Sequence, residues 1–346
     1  MKIIPVAILG ATGSVGQKFI ELLSNHPWFE IAELAASEKS AKKKYTDAAK
    51  WVMSSRLNSE IGNMKVKLCE PNLNSKLVFS ALDSSVAGEI ETEFAEKGYF
   101  VISNAKNHRF DDDVPLIIPE VNPNHLQLIE NKTGAIVTNP NCSTIGLTLA
   151  VKPLLDNFGI EQLNVVTMQA VSGGGYPGVP SLDILGNIIP FISGEEEKMK
   201  TEPLKILGTL RNNKIINADF TVSAQCNRVP VIDGHLETVQ IKFKNKPAKN
   251  EILKVWKEFK SLPQELNLPS APQQPIHYFE EDYLPQPRLN SNLENGMAVS
   301  VGRLRKCEIF DYKFVVLSHN TARGAAGGTL LAAELMKAKN YFDGIL

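Results

Sequence analysis

The stretch with the clearest reactive potential is Thr138-Asn139-Pro140-Asn141-Cys142-Ser143-Thr144. Ala135-Ile136-Val137 before it reads as the end of a strand, and Leu147, Ala150, Val151, Leu154 and Leu155 after it recur at helical spacing. Asn139-Pro140-Asn141 is turn chemistry, because a residue preceding proline avoids the helical region. Cys142 therefore falls at the mouth of a helix, where free backbone N–H groups and the helix dipole favour negative charge. Such surroundings lower a thiol pKa and enrich the thiolate, the nucleophilic form. A small buried hydrophobe is the other role open to a free cysteine here.

A second group of polar residues lies in Arg228-Val229-Pro230-Val231-Ile232-Asp233-Gly234-His235, between strand-like runs at Thr221 to Asn227 and Leu236 to Phe243. Asp233-Gly234 suits a tight turn, so a hairpin is expected to bring Arg228 and His235 together. A guanidinium pairs with a carboxylate bidentately, and an imidazole exchanges protons near neutral pH. A turn arginine and a surface histidine fit the same pattern. The loop from Gln169 through Ser172, Gly173, Gly174, Gly175 to Gly178 holds enough glycine for close backbone approach to a ligand. Gly194 to Glu202 is charged and reads as a solvated helix start, with Glu195 and Lys198 on one face. Arg109 lies in the polar loop Asn104 to Phe110 off a strand end, where it suits a ligand's anionic group or an ordinary surface position.

These residues need a frame to hold them. A chain of 346 residues suits two domains, each with its own core. Net charge of −1 provides no bulk field for nucleic acid or an anionic membrane. The N-terminus lacks a signal-peptide pattern, and no apolar run nears the roughly 20 residues that cross a bilayer. The four cysteines are scattered without metal-ligand spacing, so a reduced, cytoplasmic protein without a metal centre is expected.

Ile3 to Leu9 is an apolar run of the kind buried on both faces. Gly10-Ala11-Thr12-Gly13-Ser14-Val15-Gly16 follows, then Phe19, Ile20, Leu22 and Leu23 at helical spacing. Strand, glycine turn and helix form the dinucleotide-binding arrangement, with pyrophosphate on the helix N-terminus. The second strand, Ile31 to Ala36, ends at Ser37 rather than an acidic residue, and Ser40 and Lys42-Lys43-Lys44 follow. A hydroxyl and ammonium groups suit a 2′-phosphate, which favours NADP over NAD. Strands at Leu77 to Leu82 and Phe100 to Ser103, with a helix at Val86 to Glu96 between them, continue a parallel α/β rhythm. The second half differs. Strands are expected at Leu163 to Val171, Met297 to Leu304 and Phe314 to Ser318, a helix from Ser181, an amphipathic helix at Ala248 to Lys260, and irregular chain from Pro263 to Pro287. The last helix, Thr329 to Lys339, is expected back on the first domain. The domains expected are 1–138 with 320–346, and 139–319.

The ordered set GATGSVG, NPNCST, QAVSGGGYPG, RVPVIDGH and HNTARGAAGG resembles the aspartate-semialdehyde dehydrogenase family nearly end to end. GGGYPGVPSLDILGNIIPF and GEEEK resemble its archaeal and fungal branch. The resemblance implies a Rossmann NADP-binding domain plus a mixed α/β substrate and dimerisation domain, like glyceraldehyde-3-phosphate dehydrogenase, in a homodimer or homotetramer. It implies reversible conversion of L-4-aspartyl phosphate and NADPH to L-aspartate 4-semialdehyde, NADP and phosphate, which serves lysine, threonine, methionine and isoleucine biosynthesis. It also implies roles for single residues: Cys142 as nucleophile, His235 as acid/base, and Gln169 as positioner of the acyl intermediate. Arg228 corresponds to the group that binds the substrate α-carboxylate, and Glu195, with Glu196 as its neighbouring alternative, to the one near the amino group. Lys198, Arg109 and Asn107 match phosphate-binding positions. Gly10, Thr12, Gly13, Ser14, Val15, Gly16, Ser37, Ser40, Ser80, Ser172, Gly173, Asn320 and Thr321 match cofactor contacts. An oxyanion would be met by N–H donors at the helix start around Cys142. Malonyl-CoA reductase on the same scaffold and N-acetylglutamyl-phosphate reductase are related alternatives. A non-catalytic NADP-binding regulator is the alternative from another class.

Overall fold

The computed structural model describes residues 3–343. Two six-stranded sheets organise them. The first contains β1 (Ile4–Leu9), β2 (Phe29–Ala36), β3 (Lys67–Leu68), β4 (Leu77–Ser80), β5 (Phe100–Ser103) and β6 (Ala135–Thr138). Every neighbouring pair is parallel, in the order β3-β2-β1-β4-β5-β6. That order turns back between β1 and β4, and a parallel sheet leaves its ligand crevice beyond the carboxyl ends of the strands at such a switch. Gly10 and the helix Ser14–Leu23 stand at that point. This is the Rossmann arrangement.

The second sheet is mixed and built for one-sided burial. Its members are β7 (Ile160–Gln169), β10 (Thr221–Arg228), β11 (His235–Phe243), β12 (Ile276–Phe279), β13 (Val299–Lys306) and β14 (Tyr312–Ser318), while β8 (Thr209–Arg211) and β9 (Lys214–Ile216) form a separate hairpin. The order is β10-β7-β11-β14-β13-β12. Alternate residues of β7 and β11 are buried beneath the helix Cys142–Phe158, the helix Glu195–Ile206 and the helix Lys249–Glu258, whose Trp256 donates its indole N–H to Ala150 O at 2.8 Å. On the opposite face, Val166, Met168 and Leu236 are only half-buried.

After β14 the chain forms a wide turn at Ala322–Ala326 and then the helix Gly327–Ala338. Leu330, Leu331, Leu335 and Met336 of that helix pack in the same core as Val6, Ile8, Phe79 and Ile102.

Four sequence expectations change. β10 and β11 are not a hairpin: β7 runs between them, parallel to β10 and antiparallel to β11. The segment from Val229 to Gly234 crosses the end of β7, held by Val229 N–H to Gln169 O at 3.0 Å and Val171 N–H to Val231 O at 2.8 Å. The proline-rich stretch contains edge strand β12, since Pro275 stands just before Ile276, where its carbonyl accepts from Val299 N–H at 2.8 Å and its missing N–H costs the ladder nothing. The helix expected from Ser181 is a single turn, Ser181–Ile184. The charged segment from Glu195 is no solvated surface, because Glu195, Glu202 and Lys205 are buried.

The glycine turn divides by cause. Gly10 has φ +71°, and a Cβ there would lie 2.5 Å from Ala81 O; one at Gly16 would lie 2.3 Å from Gly10 O. Packing within the chain demands both. At Gly13 the nearest atom to a Cβ is 3.5 Å away, so the fold itself does not require that glycine. Gly10→Ala is expected to cost about 3 kcal/mol through clash and a left-handed backbone. Gly13→Ala should cost no more than about 1 kcal/mol, the range of a cap change. Chemical denaturation of both variants checks the contrast; equal losses would refute it.

Candidate active site

The ends of three neighbouring strands meet the start of one helix. Arg228 of β10 is abreast of Gln169 of β7, and Leu236 of β11 is paired with Met168, which brings His235 beside Gln169. Above this row begins the helix Cys142–Phe158, capped by Asn141, whose Oδ1 accepts from Ser143 N–H at 3.0 Å and Thr144 N–H at 3.4 Å. Cys142 Sγ is 3.2 Å from His235 Nε2. Ala170 N–H donates to His235 Nδ1 at 3.0 Å, so in the neutral ring the proton sits on Nε2, facing sulfur. The Ala170 carbonyl accepts from Arg228 at 2.7 Å, while the Arg228 backbone pairs with Ile189 at 2.8 and 3.0 Å. One backbone residue thereby aligns the imidazole and the guanidinium.

Glycines let other segments close on this group. A Cβ at Gly324 would lie 2.6 Å from Cys142 Cβ, and one at Gly173 would lie 3.0 Å from both Arg228 and His235. The wide turn and the glycine loop thus cover the thiol and imidazole from two sides.

The helix Glu195–Ile206 supplies the charged wall. Glu195 accepts from Lys198 Nζ at 2.6 Å, Asn141 Nδ2 at 2.9 Å and Gln169 Nε2 at 3.2 Å. Glu196 instead accepts from Cys226 N–H at 3.2 Å, which separates the two neighbouring glutamates. Arg109 is buried, donating to Glu202 at 2.8 Å and Asn104 O at 2.9 Å. Asn107 is exposed and bonds to Ser84 O at 2.9 Å, on the helix Ser84–Glu96, with no recorded bond to the charged wall.

Most of the expected cofactor residues gather at the crevice. The helix Ser14–Leu23 has no side-chain cap and no acid in its first turn, so its N–H groups remain available to phosphate. Gly10, Thr12, Gly13, Ser14, Val15 and Gly16 form that turn, and Ser37 and Ser40 lie in the polar turn just beyond β2. Just after β14, Asn320 donates to Ser172 Oγ at 2.8 Å and accepts from Gly234 N–H at 2.9 Å, tying the glycine loop to the segment before His235, with Thr321 next in the chain. Ser80 departs from expectation. Its hydroxyl is fully buried and donates to Glu91, so only its backbone faces the strand end.

The electrostatics also correct a sequence expectation. Burial, then Glu195, push the Cys142 thiol up to about 12, although Lys198, Arg228 and Arg109 draw it down. Burial, with Arg228 and His319, pushes His235 down to about 3. Both shifts favour a neutral thiol beside a neutral imidazole, against the pull of the helix mouth, with His235 fully buried and Cys142 half-buried. Glu195 stays ionised: burial raises its carboxyl, but Lys198, Gln169 and Asn141 hold it below the usual range. The oxyanion donors are fewer than expected as well, since Asn141 takes two of the helix-start N–H groups and leaves that of Cys142.

Asn141, Asn104, Glu202 and His319 carry no assigned role in the sequence reading. For Glu202 a signal existed: Glu195, Lys198, Glu202 and Lys205 recur at helical spacing and share a face.

A Rossmann sheet joined to a mixed sheet with cysteine and histidine at its end is the layout of a two-domain dehydrogenase that works through a cysteine, as the sequence resemblance implies. The family model described as "Semialdehyde dehydrogenase, NAD binding domain" matches residues 5–129, and "Semialdehyde dehydrogenase, dimerisation domain" matches 151–323. The chain is 52% identical to the aspartate-semialdehyde dehydrogenase of Schizosaccharomyces pombe, covering 98% of this chain and 99% of that one. It is 49% identical to that of Archaeoglobus fulgidus, covering 96% and 97%. The crystal structure of the Candida albicans enzyme with NADP superposes with a TM-score of 0.92 at 45% identity, covering 98% and 99%. The chain belongs to the aspartate-semialdehyde dehydrogenase family.

A thiol held neutral has a kinetic signature. Alkylation of Cys142 by iodoacetamide in the free enzyme should keep rising above pH 8.5, about the value of an ordinary cysteine. A rate plateau reached near pH 6 would instead reveal a thiolate–imidazolium pair.

Proposed function

We propose that this NADP-dependent aspartate-semialdehyde dehydrogenase works through Cys142, with His235, Gln169, Arg228, Glu195, Lys198 and Arg109 in the roles that follow. The observation that carries the reading is Cys142 Sγ at 3.2 Å from His235 Nε2, with Arg228 fixed through the same Ala170 backbone. Arg228 pairs with the substrate α-carboxylate and Glu195 with its ammonium, so only an amino acid satisfies both. Lys198 and Arg109 face the phosphate end; Asn107, turned onto its neighbouring helix, is at most a peripheral contact.

Phosphate-bearing substrate brings its carbonyl carbon to Cys142. Sulfur bonds to carbon, the carbon–oxygen bond to phosphate breaks to leave a thioester, and the thiol proton departs on the released phosphate as hydrogen phosphate. Gln169 aligns that acyl group. Bound NADPH supplies the hydride that reduces the thioester carbon. The resulting oxyanion is met by the Cys142 N–H, and its collapse breaks the carbon–sulfur bond. The sulfur that departs is met by the Nε2–H of His235, which its Nδ1 contact keeps pointed at it.

NADP binding is supported by the uncapped helix Ser14–Leu23, by a glycine at Gly13 that packing within the chain does not demand, and by Ser37 in place of an acidic residue. The division into 1–138 with 320–346 and 139–319 is supported by the return of Leu330 and Leu331 to the first core. A homodimer or homotetramer is supported by Leu182, Leu185, Ile188 and Phe191, which are 91%, 68%, 59% and 65% exposed in one segment beside the half-covered sheet. Among the described residues no helix is long and apolar enough to cross a membrane, and a cytoplasmic location is read from the free cysteines.

The deciding assay is phosphate-dependent NADP reduction with aspartate semialdehyde, run beside CoA-dependent oxidation of malonate semialdehyde. Only the first should proceed; activity confined to the second would replace aspartyl phosphate by a CoA thioester. Within the first assay, Arg228→Lys should lower kcat/KM about tenfold or more, because lysine keeps the charge but loses the planar fork. A lowered melting temperature with unchanged kinetic constants would remove Arg228 from the site.

A further inference from the structure

Both cations at the phosphate end are already engaged by carboxylates of one helix. Lys198 is 2.6 Å from Glu195, and Arg109 is 2.8 Å from Glu202, seven residues further along the same face. Glu202 is fully buried, and its carboxylate is divided. Oε1 accepts from Arg109, while Oε2 accepts the backbone N–H of Asn141 at 2.7 Å, one residue before the nucleophile. Arg109 reaches Glu202 from the loop after β5, beyond the first sheet, and Asn141 reaches it from the loop after β6. Glu202 therefore joins three separate segments, and two of them carry reacting partners.

We propose that Glu202 is a positioning residue that sets the distance between the phosphate-binding arginine and the Cys142 sulfur. This rests on the reading of Arg109 as a phosphate ligand. The acyl carbon lies between the sulfur that attacks and the phosphate that leaves, so both must be fixed against one origin. A single carboxylate with one oxygen on each side does that without contact to substrate. A buried ionised pair would be an expensive way merely to fill space, since apolar residues of similar volume serve as well. A second feature points the same way. Arg109 Nε is buried with no partner among the described residues, so its guanidinium retains donor capacity after Glu202 and Asn104 are satisfied.

Glutamine at this position keeps the volume but offers an acceptor to only one of the two donors. Its amide N–H₂ would oppose the other, so either Arg109 or Asn141 loses its anchor. In the phosphorylating direction, Glu202→Gln should raise the phosphate KM about tenfold or more, with the aspartate semialdehyde KM within about threefold of wild type. Glu202→Asp, which retains the charge but is one methylene short, should give an intermediate rise. A double-mutant cycle with Arg109→Lys should be non-additive in phosphate KM, as for residues in one network. Thermal unfolding is recorded for each variant.

A folded Glu202→Gln enzyme with an unchanged or lower phosphate KM, beside a raised one in Arg109→Lys, overturns the proposal. An additive cycle does so too. If Glu202→Gln does not fold, Glu202→Asp decides alone, and a phosphate KM within about twofold of wild type is the negative result. An unchanged phosphate KM in Arg109→Lys is a different failure, that of the phosphate reading of Arg109.

Discussion

The geometry of the site hangs on Asn141, whose every polar group is committed. Its Oδ1 caps the helix that begins with Cys142, at 3.0 and 3.4 Å; its Nδ2 reaches Glu195 at 2.9 Å; its N–H reaches Glu202 at 2.7 Å; its carbonyl accepts Ile145 N–H at 3.1 Å. Pro140 before it contributes no donor and a fixed φ. Two of these contacts end on buried carboxylates, where charge assistance strengthens a hydrogen bond. The helix that carries the nucleophile and the helix that carries the charged wall are thereby joined at one residue.

This arrangement explains why so many charges coexist near a half-buried thiol. Arg109 and Lys198 each face a carboxylate, and neither is bound to sulfur. Arg228 has its carbonyl partner at Ala170 and, among the described residues, no bonded acid, which leaves its fork open to a ligand carboxylate. Another pair lies deeper: Arg323 and Glu120, both fully buried, meet at 2.7 Å and fasten the turn behind Cys142 to the loop before Asn122. Removing one member of such a pair costs about 3–5 kcal/mol, because the other charge is stranded. The turn that presses Gly324 on the nucleophile is thus held by a contact that is costly to break.

Much of this was legible in the residues, and the limits have physical causes. The apolar run at Ile3 to Leu9, the glycine turn and the strand Phe100–Ser103 follow from local pattern, and the first sheet follows from their alternation. The Asn-Pro-Asn turn and the helix after it were equally local. Strand neighbours were not. Asp233-Gly234 suggested a hairpin, but β7, which precedes both strands by several intervening elements, enters between β10 and β11, a pairing no turn encodes. The thiol pKa was misjudged for the same reason: a helix mouth is visible in sequence, whereas desolvation depends on which distant segments cover it. The charged run from Glu195 looked solvated because its burial comes from partners at Arg109 and Asn141.

The placement of the last helix also sets an order of assembly. Leu330, Leu331, Leu335, Met336 and Phe342 complete the core that begins with Ile4 and Val6, so the first domain is the last to acquire all its parts. On the ribosome, the mixed sheet is present in full once Ser318 has emerged. The glycine turn and its strands have by then waited, with one side of their core bare, through the synthesis of every residue between. At roughly 5–20 residues per second that interval is on the order of tens of seconds. A chain cut short before Gly327 would therefore keep Cys142 and His235 but leave the dinucleotide sheet without its cover.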